Sequence, residues 1–584
     1  MAARTKRRTK SAEFERSFRL RLRLVALAFA LVGLSLAGRA VQLQFVDQEF
    51  LARQADARHL RVAGIPAHRG TITDRNGEPL AVSSPVDSIW VNPGTLIEAS
   101  DRLGELAAAL DRPQEWLLRR ITANAEYDFL YLKRHIPPER AEAVLALRIP
   151  GVYSEREYRR YYPSGEVVGH LTGFTNIDDV GQEGLELAYN HWLVGHAGAR
   201  RVLRDRLGQV IQDVEQLRPA RPGRDLKTSI DLRIQYLAYR ALKAQVTQQR
   251  ASTGSLVVLD VHTGEVLAMV NQPGYNPNDR AQYHASRYRN RAATDIFEPG
   301  SAIKPLIVAA ALESGRYRPD SVVDTSPGYF KIGRYKIEDK HNLGRIPITT
   351  VLTKSSNVGA SRIALSLDPA VLWSVLDGFG LGHLTDSGFP GESAGLMNHY
   401  EHWREIGQAV LAYGYGVSVT PLQLAQAYAV LGNGGVLRPI SLLALEQAPA
   451  GQRVVGPDVA RAVVAMMETV VSAQGTAIKA SVPGYRVAGK TGTAHKAVAG
   501  GYDEHRYTAV FGGLVPASQP RLAIVAVVQE PSNGAFYGGD VAAPVFADVA
   551  AGALRILGVT PDDLPPPAAD ETGSPRLVQA LRTP

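Results

Sequence analysis

Hydrophobic and polar positions divide this chain into three stretches of different texture. Directly after Arg23 runs LVALAFALVGLSLAG, fifteen residues without a charge, followed by Arg39 and AVQLQFV up to Val46. Seventeen of the 23 positions from 24 to 46 are Ala, Val, Leu or Phe. At 1.5 Å rise per residue such a helix reaches about 35 Å, enough for a hydrocarbon core of about 30 Å, and Arg39 near one end can snorkel to the headgroups. From residue 47 to about 225, short helical patterns such as DRLGELAAALDRPQEWLLRRI alternate with Arg-rich and Gly-rich loops. Around RPARPG (218–223) the texture changes: DLRIQYLAYRALKAQVTQQR (231–250) reads as an amphipathic helix, and SLVVLD, the turn VHTGE and VLAMV as a hairpin. Near the end, RYTAVFGGLV and RLAIVAVVQE are two more strands, followed by a helix from about Val541 to Leu557 and a Pro/Ala/Thr tail. Early and late strands around a helix-rich middle predict one sheet built from both ends of an α+β domain. No fixed-period repeat and no second long apolar stretch is present.

Composition narrows the class. At 584 residues, 45% apolar and 21% charged, the chain is globular and long enough for two to four folded units. It has no cysteine, which excludes disulfides, thiolate metal sites, iron–sulfur clusters and cysteine nucleophiles. The net charge of +8 belongs to one end: residues 1 to 23 hold nine Lys/Arg against Glu13 and Glu15, and the remaining 561 residues carry 56 basic and 55 acidic side chains. That even balance is no footprint for nucleic acid. A basic tail before a single apolar span predicts a signal anchor with a cytoplasmic N-terminus and everything after about Phe45 exported, to the periplasm in a bacterium. The rival, a cleaved signal peptide, would need an unusually long n-region, and no clean A-x-A site follows.

In FEPGSAIKPLIVAAALESG, Pro-Gly precedes a helical pattern ending in Gly315, so Ser301 falls at or near a helix N-terminus with Lys304 on the same face. A neutral amine within hydrogen-bond reach can take the proton of a serine hydroxyl, while helix-end N–H groups favour the developing anion. Alone, the pattern is more often a capped helix with a solvated lysine. Two further elements change the weighing. Of thirteen lysines, only Lys304 has serine three positions before it, and only Lys490 opens a Lys-Thr-Gly-Thr run. Between them TKSSNVGASRIAL places Ser355 and Asn357 on a loop before a helix. The three triplets, in the order SxxK, SxN and KTG, are spaced 54 and 135 residues apart.

That ordered set resembles the site of penicillin-binding proteins and serine β-lactamases. The phrases RNRAATDIFEPGSAIKP, YGYGVSVTPLQLAQAYAVLGNGG and FYGGDVAAPVF are similar to class B penicillin-binding proteins of the division-specific FtsI type, and HRGTITDRNGEPLA (68–81), YYPSGEVVGHLTGF (161–174) and GQEGLE (181–186) match class B pedestal motifs. The resemblance runs from the anchor to about Leu564 and shows no class A glycosyltransferase signature. It implies a cytoplasmic tail (1–23), a transmembrane anchor (24–46), an elongated pedestal for dimerisation or interaction (47–225), an α+β transpeptidase domain with an antiparallel sheet flanked by helices (226–564) and a flexible tail (565–584).

The resemblance also assigns roles. Ser301 is the acylated nucleophile and Lys304 its base, with nearby Lys490 disfavouring a second ammonium. Ser355 and Asn357 relay a proton to the departing amine and hold the donor peptide. Lys490, Thr491, Gly492 and Thr493 form a strand edge on which an extended peptide adds its backbone, Gly492 allowing close approach. Thr491 and Thr493 bind a terminal carboxylate, the backbone N–H groups of Ser301 and Thr493 form the oxyanion hole, and Phe536 and Tyr537 form an aromatic wall. No cofactor and no metal is implied. His399 and His402 lie at helical spacing but lack a third ligand.

The expected activity is septal peptidoglycan D,D-transpeptidation through a serine acyl-enzyme, inhibited by β-lactams. Stem peptides, the membrane, a septal glycosyltransferase and other division proteins are the expected partners. Rivals are a β-lactamase or carboxypeptidase, a noncatalytic division scaffold and the elongation-specific sister enzyme. A class A β-lactamase needs a deacylating Glu with Asn four residues on, whereas Asn398 follows Glu392 by six.

Overall fold

The computed structural model describes residues 3–48, 60–204, 210–498 and 501–563. A helix spans Ala3–Val41 and continues as one π-helical turn over Gln42–Val46. Its apolar part, Phe18–Val46, contains an 18-residue window with a mean hydropathy of 2.1, none of it buried; among the described residues it is the one helix long and apolar enough to cross a membrane. Arg39 donates to Gln42 Oε1 at 2.9 Å within that stretch. The expected tail at 565–584 lies outside the described residues.

By its contacts the chain forms two compact units. The smaller combines residues 1–67, 86–157 and 196–221. It holds an antiparallel sheet with Gly198–Arg204 between Leu60–Ile65 and Val210–Arg218. Its apolar core draws on Ile89 and Val91 and on short helices such as Gln114–Thr122, which buries Leu117 and Ile121 one turn apart.

The larger unit combines residues 68–85, 158–195 and 222–584. Compactness thus divides the chain differently from a cut near 225, because the segments bearing the three N-terminal motifs count with the C-terminal part. A buried ion triad ties those segments together. Arg69 of the first motif donates to Glu186 of the third at 2.6 Å, and Arg160, just before the second, reaches the other carboxylate oxygen at 2.6 Å. Arg69 is further satisfied by the Glu186 carbonyl and Asn190 Oδ1, both at 2.8 Å.

The C-terminal part of this unit begins with α1 (Leu232–Gln248), capped by Asp231, and the hairpin β1 (Thr253–Asp260) and β2 (Val266–Gln272). A helical middle contains α2 (Lys304–Glu313), α3 (Asn357–Ser366), α4 (Pro421–Gly432) and α5 (Pro457–Glu468). The chain then returns as β3 (Ala488–Val498), β4 (Gly501–Val515), β5 (Leu522–Gln529) and α6 (Ala543–Ile556). The strands form one antiparallel sheet in the order β2-β1-β5-β4-β3, so the first and last strands of the domain meet at β1 and β5. α1 and α6 pack on each other and on the sheet, while α4 packs against β1, β4 and β5. β1, β2 and β5 are therefore buried at nearly every position, which is why their sequences are continuous apolar runs rather than alternating ones. α4 is buried along its whole length and starts with a reciprocal capping box between Thr420 and Gln423. β3 lies at an open edge of the sheet.

Candidate active site

Ser301 sits in a short 3-10 turn, Gly300–Ile303, that runs directly into α2. Gly300 enters the turn at φ 54° and faces the Thr493 backbone of β3, where an added Cβ would meet the Thr493 carbonyl at 3.1 Å. A Cβ on Gly492 would lie 2.4 Å from the Pro299 carbonyl. The two glycines let the serine turn and the KTGT strand touch backbone to backbone. The Tyr428 hydroxyl of α4 donates to the Ala302 carbonyl at 2.8 Å and pins the turn from beneath.

The second triplet reaches the same place from another helix. Ser355 adopts φ 58°, a left-handed conformation unusual outside glycine, immediately before α3. Ser356 caps α3 by accepting from the Gly359 N–H at 2.8 Å. Asp339 completes that helix end, accepting from the N–H groups of Asn357 at 2.5 Å and Val358 at 3.1 Å and from the Ser356 hydroxyl. The turn at Ser355 and the capped helix behind it aim Ser355 and Asn357 at the two lysines.

Lys304 is fully buried and donates to the Ser355 carbonyl at 2.6 Å, to Asn357 Oδ1 at 2.8 Å and to Ser355 Oγ at 3.3 Å. Lys490, also fully buried, donates to Ser355 Oγ at 2.9 Å and to the Thr491 carbonyl at 3.1 Å. The Ser355 hydroxyl is thus held between both amines, joining all three triplets in one network. No hydrogen bond joins Ser301 to Lys304 in this arrangement; such contacts often tighten only when substrate is bound. Burial holds the Lys304 amine well below its ordinary pKa and the Lys490 charge lowers it further, with Asp339 acting the other way. Burial also brings Lys490 down to about 7. A neutral amine in this network is therefore accessible near neutral pH.

Above this network opens a cleft of about 810 Å³ lined by Ser301, Ser355, Asn357, Thr491, Thr493 and Tyr537, among others. Thr491 shares a hydrogen bond of 2.8 Å with Thr476, and Thr493 Oγ1 accepts from the Gly538 N–H at 3.0 Å. Lys340 donates to the Tyr537 hydroxyl at 2.9 Å. Besides the two buried lysines, two further expected residues are absent from the cleft lining. Phe536 stacks on Tyr507 at 4.4 Å behind Tyr537, and Gly492 faces the chain's own Pro299. Sequence reasoning missed Asp339, Thr476 and Lys340. Lys340 lies 197 positions from Tyr537, Asp339 and Thr476 lie 18 and 15 positions from Asn357 and Thr491, and no local pattern marks any of the three.

Other weighed residues are occupied elsewhere. Glu392 accepts from the Thr385 N–H at 2.7 Å and from the hydroxyls of Thr385 and Ser387, both at 2.5 Å, so its carboxylate braces a loop. His399 packs its ring on Trp373 and Tyr400. Among the described residues no cluster of three His, Cys, Asp or Glu side chains is assembled.

Residues 254–551 match the family model for the penicillin binding protein transpeptidase domain, and residues 64–228 the penicillin-binding protein dimerisation domain. The chain is a class B penicillin-binding protein. It is 43% identical to peptidoglycan D,D-transpeptidase FtsI of Escherichia coli over 546 residues, covering 93% of this chain and 91% of that protein. A probable peptidoglycan D,D-transpeptidase, PbpC of Pseudomonas aeruginosa, is likewise 43% identical, over 93% of this chain and 96% of its own length. Among solved structures, the apo transpeptidase domain of penicillin-binding protein 3 from Burkholderia pseudomallei superposes with a TM-score of 0.54 at 43% identity, covering 58% of this chain and 98% of that one.

Proposed function

We propose that this penicillin-binding protein is a septal peptidoglycan D,D-transpeptidase with Ser301 as its nucleophile. The observation that carries the reading is the Ser355 hydroxyl held between Lys304 and Lys490, beside the Ser301 turn and an open strand edge. The donor stem peptide adds its backbone to β3, and its terminal carboxylate binds Thr491 and Thr493. Neutral Lys304 takes the Ser301 proton as Oγ bonds to the penultimate D-Ala carbonyl carbon. The negative oxygen rests on the backbone N–H groups of Ser301 and Thr493. The C–N bond then breaks, and the leaving nitrogen receives a proton relayed through Ser355, releasing D-Ala and leaving a Ser301 ester. Asn357 orients the donor amide. An amine from a neighbouring stem attacks the ester, its surplus proton returns through the same lysines to Oγ, and the cross-link forms. A β-lactam follows the first half only, since its opened ring keeps the leaving nitrogen tethered.

The helix near the N-terminus supports a single-pass membrane anchor. The basic tail preceding it favours a cytoplasmic N-terminus and a periplasmic catalytic half. Likeness to FtsI proteins supports a place at the division septum, with a septal glycosyltransferase and other division proteins as partners. The reading is tested with a donor peptide ending in D-Ala-D-Ala and a D-amino acid acceptor. Wild type should release one D-Ala per exchanged product, and Ser301→Ala should release none. Exchange by Ser301→Ala at the wild-type rate would overturn it.

A further inference from the structure

The charges around the cleft are not all neutralised by one another. Every carboxylate lining it is engaged: Asp339 holds the start of α3, Glu338 pairs with Lys336, and Asp540 pairs with Lys479 at 2.8 Å. Of the lysines, Lys304 and Lys490 are buried below Ser355, and Lys354 donates to the Gln474 carbonyl at 2.7 Å. Lys340 differs. Its amine lies 4.1 Å from the centre of the Tyr537 ring and donates to the Tyr537 hydroxyl, and among the described residues it has no carboxylate partner.

An aromatic face and a neutral hydroxyl hold an ammonium in place without cancelling its charge. A lysine amine has three donors, and the hydroxyl takes one. Two remain for an anion. Lys340 and Tyr537 are 197 positions apart yet both line the cleft, so the charge is presented at the surface where the donor must lie.

We infer that Lys340 is a specificity-determining residue: held on Tyr537, it binds a carboxylate that the acyl donor carries outside the bond being broken. The preferred donors are then stem peptides, and β-lactams, with an anionic side chain. The inference rests on the transpeptidase reading above and names the donor class for that same site.

Three penicillins with a common benzyl side chain separate the possibilities: benzylpenicillin, its α-carboxy derivative and its α-amino derivative. The readout is the ratio of their second-order acylation constants on the full chain. Lys340→Ala should lower the α-carboxy to benzyl ratio by about three- to fivefold, the scale of a partly exposed ion pair. Lys340→Glu should invert the order, favouring the α-amino over the α-carboxy compound. In wild type, the α-carboxy advantage should shrink as salt is raised. Ratios unchanged in both variants, or an equal slowing of all three compounds, would overturn the inference and leave Lys340 a structural brace for Tyr537. A wild-type protein that takes up none of the three would instead defeat the transpeptidase reading, and this inference with it.

Discussion

The Ser355 hydroxyl accepts from two buried amines, an arrangement that works only if at least one of those amines is readily neutral. Lys304 is the more strongly depressed, by burial and by Lys490, and the proposed mechanism uses it as the base. The sign follows directly. A base acts when deprotonated, so acylation should rise with pH through the Lys304 pKa and then level. Because that pKa is held well below its ordinary value, levelling should be complete before the alkaline range. Stopped-flow acylation measured from about pH 5 to pH 10 checks this, and a rate still climbing about tenfold per unit above pH 9 would indicate an ordinary amine. Asp339 opposes the shift and also caps α3. Asp339→Asn should therefore move the rising limb to lower pH and reduce the plateau rate, because the start of α3 at Ser356 and Asn357 loses its anchor; an unchanged profile would remove Asp339 from the site.

At the scale of elements, the site depends on contacts between segments that no local pattern could pair. The apolar runs, the caps and the three triplets were legible in the sequence because each is written in neighbouring residues. Continuous burial of β1 and β5 was readable as strands, and their pairing was expected from the early-and-late arrangement. Asp339 was not readable as a cap for a helix eighteen residues further on, since nothing near it points to α3. Gly492 was expected to clear space for a peptide, and its observed close neighbour is Pro299. Gly492→Ala should push the KTGT strand off the serine turn and abolish measurable acylation, with the loss seen as unlabelled protein of otherwise intact fold by circular dichroism. The N-terminal motifs likewise have a physical content hidden from sequence, the Arg69–Glu186–Arg160 triad. Glu186→Gln leaves two buried guanidinium groups short of their countercharge and should cost about 3–5 kcal/mol, read as a lowered denaturation midpoint.

For the whole molecule, the division of labour is between an apolar helix that can hold the chain at a membrane and a catalytic half that needs no part of it for its chemistry. The basic tail and the apolar span were plain from composition, whereas the contact-based division of the chain was not, because segments 68–85 and 158–195 join the larger unit only through long-range packing. A reporter active only after export should work when fused after residue 60, and activity there of a cytoplasm-only reporter would contradict the proposed topology. A long-lived acyl-enzyme at Ser301, as proposed, follows from the lysine network and from Glu392 being committed to its own loop. With no carboxylate assigned to activate water, hydrolysis of that ester should be slow. Intact-protein mass spectrometry of residues 47 to 564 after exposure to benzylpenicillin and removal of free drug should show one penicilloyl group per chain, persisting for many minutes and mapping to the peptide that contains Ser301. Rapid return to the unmodified mass with repeated turnover of the drug, or an adduct on any other residue, would contradict the account.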